Sequence, residues 1–447
     1  MLDRSAPESA MLIDARPTKD FFISMLGWDI GLIRVIIDLV DNCLDGARRV
    51  RPDGDYRGLC IRINLSSESF KISDNCGGIP PDLARDYAFR FGRPRDMQPT
   101  KHSVGQFGVG MKRALFKLGT KFTVESTTEA CQFVVEVDVD EWRKDDERWQ
   151  FEFKVLRDLS PKPATEEQRG TTITGSSLHP SVAEEFDLET FHNRLRLELE
   201  TAHQESLTRN MTITLNAEPL QFQVSRLLKS EDLHPAFQEL VFDESGHPPL
   251  QVRVYAGVSH SDPSKAGWYI YCNGRCVVEA EQTGTTGWGE GGETTIPKYH
   301  NQFARFRGYV FFDCDDADRL PWKTTKTGVD SDSPIFRRVR QKMVSMMRPV
   351  IDFLNRLDAE KSLPEEPTPL TDAVEGAAAA PLDEVEARPV FCAPEAGRPA
   401  AASPERRIQY TRPWDKVERA RSALKVPTLK EVGERTFDYY YTMECED

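Results

Sequence analysis

A chain of 447 residues, 39% hydrophobic and 29% charged, is too long for one ordinary domain and suits two globular domains plus a tail. No stretch approaches the roughly 18 consecutive apolar residues that cross a bilayer, which argues against a helical membrane protein. The formal net charge of −14 excludes a surface coated for nonspecific phosphate binding, although a local basic groove is compatible with that total.

The opening MLDRSAPESAMLIDARPTKD has no basic stretch followed by an apolar one, so the expected compartment is the cytoplasm. Residues 29–50 place Ile33, Ile36, Ile37, Val40 and Leu44 on one helical stripe, with Asp38, Asp41, Asn42 and Asp45 beside or opposite it. A strand and turn follow, ending in ISDNCGGIP, then a long polar stretch, a glycine-rich loop and a helix from Met111 to Leu118. Alternating runs at 121–126, 131–140 and 150–156 read as antiparallel strands, so the first half is an α/β sandwich and not a doubly wound parallel sheet.

Phe191, Leu195 and Leu199 recur every four residues and predict a helix bridging into a second α/β domain, whose strands are MTITL, LQVRVYAGV, GWYIYCNGRCVV and FRGYVFFDCD. A helix from about Ile335 to Leu357 closes that domain, with a kink or early stop expected at Pro349. Residues 359–407, rich in Pro, Ala and Glu, read as a linker with little to pack, before an aromatic and acidic end, FDYYYTMECED. The nine cysteines are scattered; Cys272 and Cys276 lack a second pair at zinc spacing, so all nine read as reduced thiols.

Four pieces in one order could serve a bound nucleotide. Asp38, Asn42 and Asp45 share one helical face, where a carboxylate can deprotonate an attacking water and an amide oxygen can hold Mg²⁺ against phosphates. Alone, the same letters suit a solvated polar face. Asp74, at the head of Asp74-Asn75-Cys76-Gly77-Gly78-Ile79, could accept from an exocyclic amine while Gly78 lets backbone approach a flat base; an ordinary turn explains those letters too. Gly105-Gln106-Phe107-Gly108-Val109-Gly110 opens a helix with free amides, a weak signal by itself, and Gly170-Thr171-Thr172-Ile173 alone signals nothing.

Together these pieces resemble the nucleotide-binding boxes of the GHKL superfamily over roughly residues 20–180: gyrase-type topoisomerases, ninety-kilodalton heat-shock chaperones, histidine kinases and MutL. The resemblance implies an α+β architecture, an N-terminal Bergerat ATP-binding sandwich (1–185) followed by a transducer domain (186–358); composition adds a disordered linker (359–412) and a C-terminal partner-binding segment (413–447). It also implies ATP and Mg²⁺ as cofactors. By the same resemblance Asp74 reads the adenine amine, with Gly78 and Ile79 beside the base, and Asn42 binds Mg²⁺. Asp38 stands at the general-base position, with Asp45 on the same face. Gly105 to Gly110, including Gln106, Phe107, Gly108 and Val109, form the phosphate lid; Lys112 is placed to meet phosphate, and Thr171 helps fix the adenine side.

Two positions depart from the family pattern. Cys76 replaces the first glycine of the usual turn, and Asp38 stands where these ATPases usually carry glutamate, one methylene longer. A misplacement of about 1 Å can cost roughly 10²-fold in rate, so hydrolysis is expected to be slow.

In the second domain Cys272-Asn273-Gly274-Arg275 resembles a MutL transducer motif, and Trp322 to Gly328 resembles the loop whose lysine reaches the γ-phosphate, with Lys326 preferred to Lys323. The ATP domain begins near residue 20, which excludes the usual histidine-kinase layout, and the text AFRFGR followed by VGQFGVGMK looks most like MORC-type ATPases. The resemblance therefore implies an ATP-dependent homodimeric clamp on nucleic acid or a protein partner, in the cytoplasm or at the nucleoid. A chaperone-like ATPase and a nucleotide-gated binding module with little turnover stay open.

Overall fold

The computed structural model describes residues 17–28, 30–90, 104, 110–145, 147–222, 224–290, 296–323, 325–360, 368–394 and 411–445. Two units are compact in themselves, Met1–Ala396 and Gly397–Asp447. Among the described residues no helix is long and apolar enough to cross a membrane.

Among the described residues the larger unit holds three sheets, of eight, five and two strands. The first, of eight strands, runs β5-β4-β3-β6-β2-β1-β7-β8: β1 Cys60–Leu65, β2 Phe70–Asp74, β3 Gly119–Thr127, β4 Cys131–Asp138, β5 Phe153–Asp158, β6 Gly170–Leu178, β7 Thr212–Leu215 and β8 Glu218–Pro219. All its pairings are antiparallel except β1 with β7. Its apolar face is covered by α2 (Leu32–Val50), following α1 (Lys19–Trp28), and by α3 (Gly110–Leu118). Helix α2 forms where the stripe requires it: Ile36, Ile37, Val40 and Leu44 are buried, and Arg48 and Arg49 in its last turn complement the helix dipole. Helix α1 is fastened by Lys19, whose ammonium is fully buried, lies 4.1 Å over the Trp142 ring and donates to the carbonyls of Trp142, Asp145 and Arg148.

The strand in MTITL, expected in the second domain, belongs to the first sheet. Its Ile213 and Leu215 join the first core, which extends through α4 (Pro180–Phe186) and α5 (Glu189–Ala202) to Leu220. A four-residue run carries no mark of which sheet completes it.

Strands β9 Arg226–Lys229, β10 Ala236–Phe242, β11 Leu250–Val258, β12 Gly267–Cys272, β13 Arg275–Glu281 and β14 Phe306–Cys314 build the second domain; five of them form the sheet β10-β11-β14-β12-β13. Helix α6 (Pro334–Glu360) lies on that sheet through Phe336, Val339, Met343, Met347, Val350 and Leu354. The early stop expected at Pro349 does not occur. The helix continues to Glu360 because Val350, Ile351, Phe353 and Leu354 beyond the proline are all buried, and that burial offsets the roughly 3 kcal/mol a helical proline costs.

The linker reading is corrected over residues 368–394. Helix α7 (Pro369–Glu375) buries Leu370 and Val374, and the alanine run becomes strand β15 (Ala378–Pro381), antiparallel to β9. Further bridges tie His234 to Cys392 and Phe237 to Arg388, while Phe391 packs against Phe353 at a ring separation of 5.4 Å. Leu370, Val374 and Phe391 thus anchor a segment of linker-like composition. The rest of the expected linker lies outside the described residues, apart from its ends.

The smaller unit is a hairpin of α8 (Trp414–Leu424) and α9 (Leu429–Glu444), turned by Lys425 in the left-handed region and capped by Thr428. Val426 and Val432 are buried in it, whereas Trp414, Phe437, Tyr439 and Tyr440 are exposed. All nine cysteines are free thiols.

Candidate functional site

Several of the residues read from sequence meet around α2. At one end, β2 delivers Asp74, whose Oδ1 accepts the main-chain N–H groups of Cys76 at 2.8 Å and Thr171 at 3.3 Å. Burial pushes the Asp74 carboxyl up; those two donors and the thiol of Cys43 on α2 offset this in part. A carboxylate has about four acceptor sites, so Asp74 keeps capacity for an outside donor. Gly78 lies at φ +72°, and a Cβ there would collide with the Thr127 carbonyl, which fixes glycine at this turn. Ser126 pins the turn by accepting the Ile79 N–H at 2.7 Å, and its hydroxyl lies 3.4 Å from that of Thr171. Sequence reading missed Ser126; it is one polar position in an alternating strand.

Along α2, Asp38, Asn42 and Asp45 share a face as expected, but Asp41 beside them makes the closer contacts with the second domain. Asp41 is 1% exposed and its Oδ2 accepts from the Lys326 ammonium at 2.9 Å. That same ammonium lies 3.7 Å from Asp38 Oδ1, and Arg34 lies 3.5 Å from it on the other side. Burial drives the Asp41 carboxyl up, yet Lys326 and Arg275 outweigh it and hold the group well below the usual carboxylate range. His203, buried at 3.8 Å from Asp41, is pushed down to about 3 by burial and by Arg275, and is therefore a neutral imidazole. Asp41 was read only as one more acid on the helix. Its direct neighbour Asn42 was the only sequence signal.

Local chemistry explains why Lys326 arrives here. The loop after β14 is closed by the Trp322–Val329 bridge, and Lys326, at φ +53°, donates its N–H to the Lys323 carbonyl at 2.7 Å. A left-handed lysine is uncommon and costs of order 1 kcal/mol, a strain that loops retain mainly at functional positions. Lys323, in contrast, is exposed.

The Asn273-Gly274 dipeptide makes the two-residue turn between β12 and β13, with φ +45° and +75° as a type I′ turn requires. Asn273 is stitched to Cys314 by two hydrogen bonds, and its carbonyl accepts from Arg48 of α2 at 2.8 Å. The turn thereby aims Arg275 into the same buried interface, 3.9 Å from Asp41 Oδ1.

Asp45 meets Val104, just before the glycine-rich stretch of the sequence. Its Oδ1 accepts from Arg48 and, at 2.9 Å, from the N–H of Val104, whose side chain is buried in the second-domain core. Gly105, Gln106, Phe107, Gly108 and Val109 lie outside the described residues. Gly110 opens α3 with its Cα facing the Asp38 side chain. Lys112 is buried and donates to the carbonyls of Ala88 at 2.9 Å and Arg90 at 2.5 Å; burial lowers its pKa to about 7. The Asn42 side chain, half-buried on the Asp38 face, makes no hydrogen bond among the described residues, which suits an oxygen donor reserved for a cation. Among the same residues no group of three or more His, Cys, Asp or Glu could hold a metal unaided, so Mg²⁺ would need phosphate oxygens to complete its shell.

An eight-stranded mixed sheet under a helix bearing Asp38 and Asn42, with a half-buried aspartate at a strand end, has the make-up of a GHKL-type nucleotide domain. Residues 30–171 match the family described as histidine kinase-, DNA gyrase B- and HSP90-like ATPase, and the chain thus carries an ATP-binding domain of the GHKL superfamily. No curated protein matches the chain.

Proposed function

We propose that this protein is a slow, Mg²⁺-dependent ATPase that works as a nucleotide-gated, dimerising switch of the MORC or MutL type. Asp74, Gly78, Ile79 and Thr171 hold the adenine, Asn42 carries Mg²⁺, Asp38 activates the attacking water, and Lys326 reads the γ-phosphate from the second domain. Asp45 anchors the start of the glycine lid, and Lys112 fastens the chain that precedes it. One observation carries the reading: the Lys326 ammonium enters the first domain and seats between Asp38 and Asp41. A cation so placed senses whether a phosphate stands on that helix face, and passes the result to the sheet that bears it.

Slow turnover has its own support. Asp38 is held between Arg34 and Lys326, so its carboxylate is engaged until the lysine moves to a phosphate. The gated partner is nucleic acid or protein, and the exposed aromatic residues of the C-terminal hairpin offer a protein-binding surface. ATP hydrolysis measured alone, with DNA and with RNA tests the reading. Stimulation by one nucleic acid identifies the partner class, a low unstimulated rate alone favours the binding module, and no ATP turnover or binding refutes the proposal.

A further inference from the structure

The buried junction between the two domains holds more cations than its present contacts use. Arg275 is 3% exposed, yet its Nε and one Nη make no hydrogen bond; Asp41 Oδ1, 3.9 Å away, makes none either. Buried donors and acceptors left unmade this way are costly, and a structure keeps them where another state uses them. Asp41 Oδ2 is meanwhile taken by Lys326. One carboxylate thus has one oxygen paired to a lysine and the other facing an idle guanidinium about 1 Å beyond bonding range.

We infer that Arg275 is a positioning residue for the ATP reaction: the reserve counter-ion of Asp41 that lets Lys326 leave for the γ-phosphate. This rests on the reading of Lys326 given above. Without Arg275, departure of Lys326 would leave the buried Asp41 carboxylate only the weaker influence of Arg34, which is itself 3.5 Å from Asp38, and the protein interior strongly disfavours such a poorly paired charge. With it, the guanidinium closes onto Oδ1 as the ammonium departs, and Asp41 keeps a paired cation in both states. Arginine suits this task because its forked donors can engage both carboxylate oxygens in turn. Arg275 begins β13 directly after the Asn273-Gly274 turn that Arg48 holds, so its closure draws that turn and α2 together.

The test compares calorimetric affinities of the full chain for a nonhydrolysable ATP analogue and for ADP, since only the former offers a γ-phosphate to Lys326. In Arg275→Gln the analogue-to-ADP preference is expected to fall about tenfold, within the range for groups sharing one ion-pair network, with ADP affinity unchanged. Asp41→Asn removes the charge that retains Lys326, so the preference returns in the double variant Asp41→Asn/Arg275→Gln. That double variant is charge-matched and guards against misfolding of the single one. An Arg275→Gln protein with the wild-type preference, or a double variant with the full loss, overturns the inference while leaving Lys326 in place. Lys326→Ala separates the two ideas: if it keeps the wild-type preference, the γ-phosphate reading fails and the inference fails with it.

Discussion

The ammonium of Lys326 donates to Asp41 across 285 residues of sequence at 2.9 Å, and this contact joins the helix that carries Asp38 and Asn42 to the loop that follows β14. Both partners are nearly fully buried, so the pair is costly to dissolve unless each finds a replacement. A nucleotide whose γ-phosphate replaces Asp41 for Lys326 therefore alters the domain junction as well as its own site.

Asp74→Asn is predicted to abolish detectable ATP binding in calorimetry, because an amide can present a donor to the adenine amine where the carboxylate only accepts. The same variant is predicted to raise the melting temperature. The folded-state pKa of Asp74 is raised, so the folded protein binds more protons than the unfolded one as pH rises from the ordinary value through the raised one, and stability falls across that window. Asparagine removes the penalty. Unchanged ATP affinity in the variant would take Asp74 out of the site.

ATP affinity of the unmodified protein is predicted to weaken as pH falls through that raised pKa, ahead of the range in which ordinary exposed carboxylates titrate. Protonation turns the Asp74 acceptor into a donor facing another donor. Titrations in matched buffers between pH 7 and the acid limit of folding check this; a flat profile would show that ionised Asp74 is not required.

Asp38→Ala is predicted to lower turnover on the order of 10²–10⁴-fold, the range for a general base, while leaving ATP bound. Asp38→Glu restores the methylene that the resembling ATPases carry and is expected to turn over faster than the natural protein. Single-turnover hydrolysis with a parallel binding assay separates the steps. Normal hydrolysis by Asp38→Ala would mean another group is the base.

Phe391→Ala is predicted to destabilise the larger unit by about 3 kcal/mol in chemical denaturation, as for other buried phenylalanines. Phe391 is buried against Phe353, in the segment whose composition reads as linker. A neutral effect would restore that reading.

What the sequence made legible follows the range of each signal. Asp38, Asn42 and Asp45 could be placed on one face because helical spacing is local, and Asp74 because a strand runs directly into its turn. Asp41 and Arg275 were not read as partners, since nothing within either local pattern reports a contact made through tertiary packing. Composition misled over 368–394, where Leu370, Val374 and Phe391 do the packing while alanines supply only a backbone edge for β9. The early stop at Pro349 does not occur, because local propensity is a weaker force than the buried face that continues beyond it. Lys326 was preferred from its place in a loop motif, and the left-handed turn at that residue, which sequence does not report, brings its ammonium to α2.

On the proposed function, ATP is expected to close this chain into a dimer through contact of Lys326 with the γ-phosphate. Light scattering of the full chain, with a nonhydrolysable ATP analogue, with ADP and without nucleotide, tests it most directly. The account predicts a doubled mass with the analogue alone, lost in Lys326→Ala and kept in Lys323→Ala. A mass that does not change with nucleotide would contradict it.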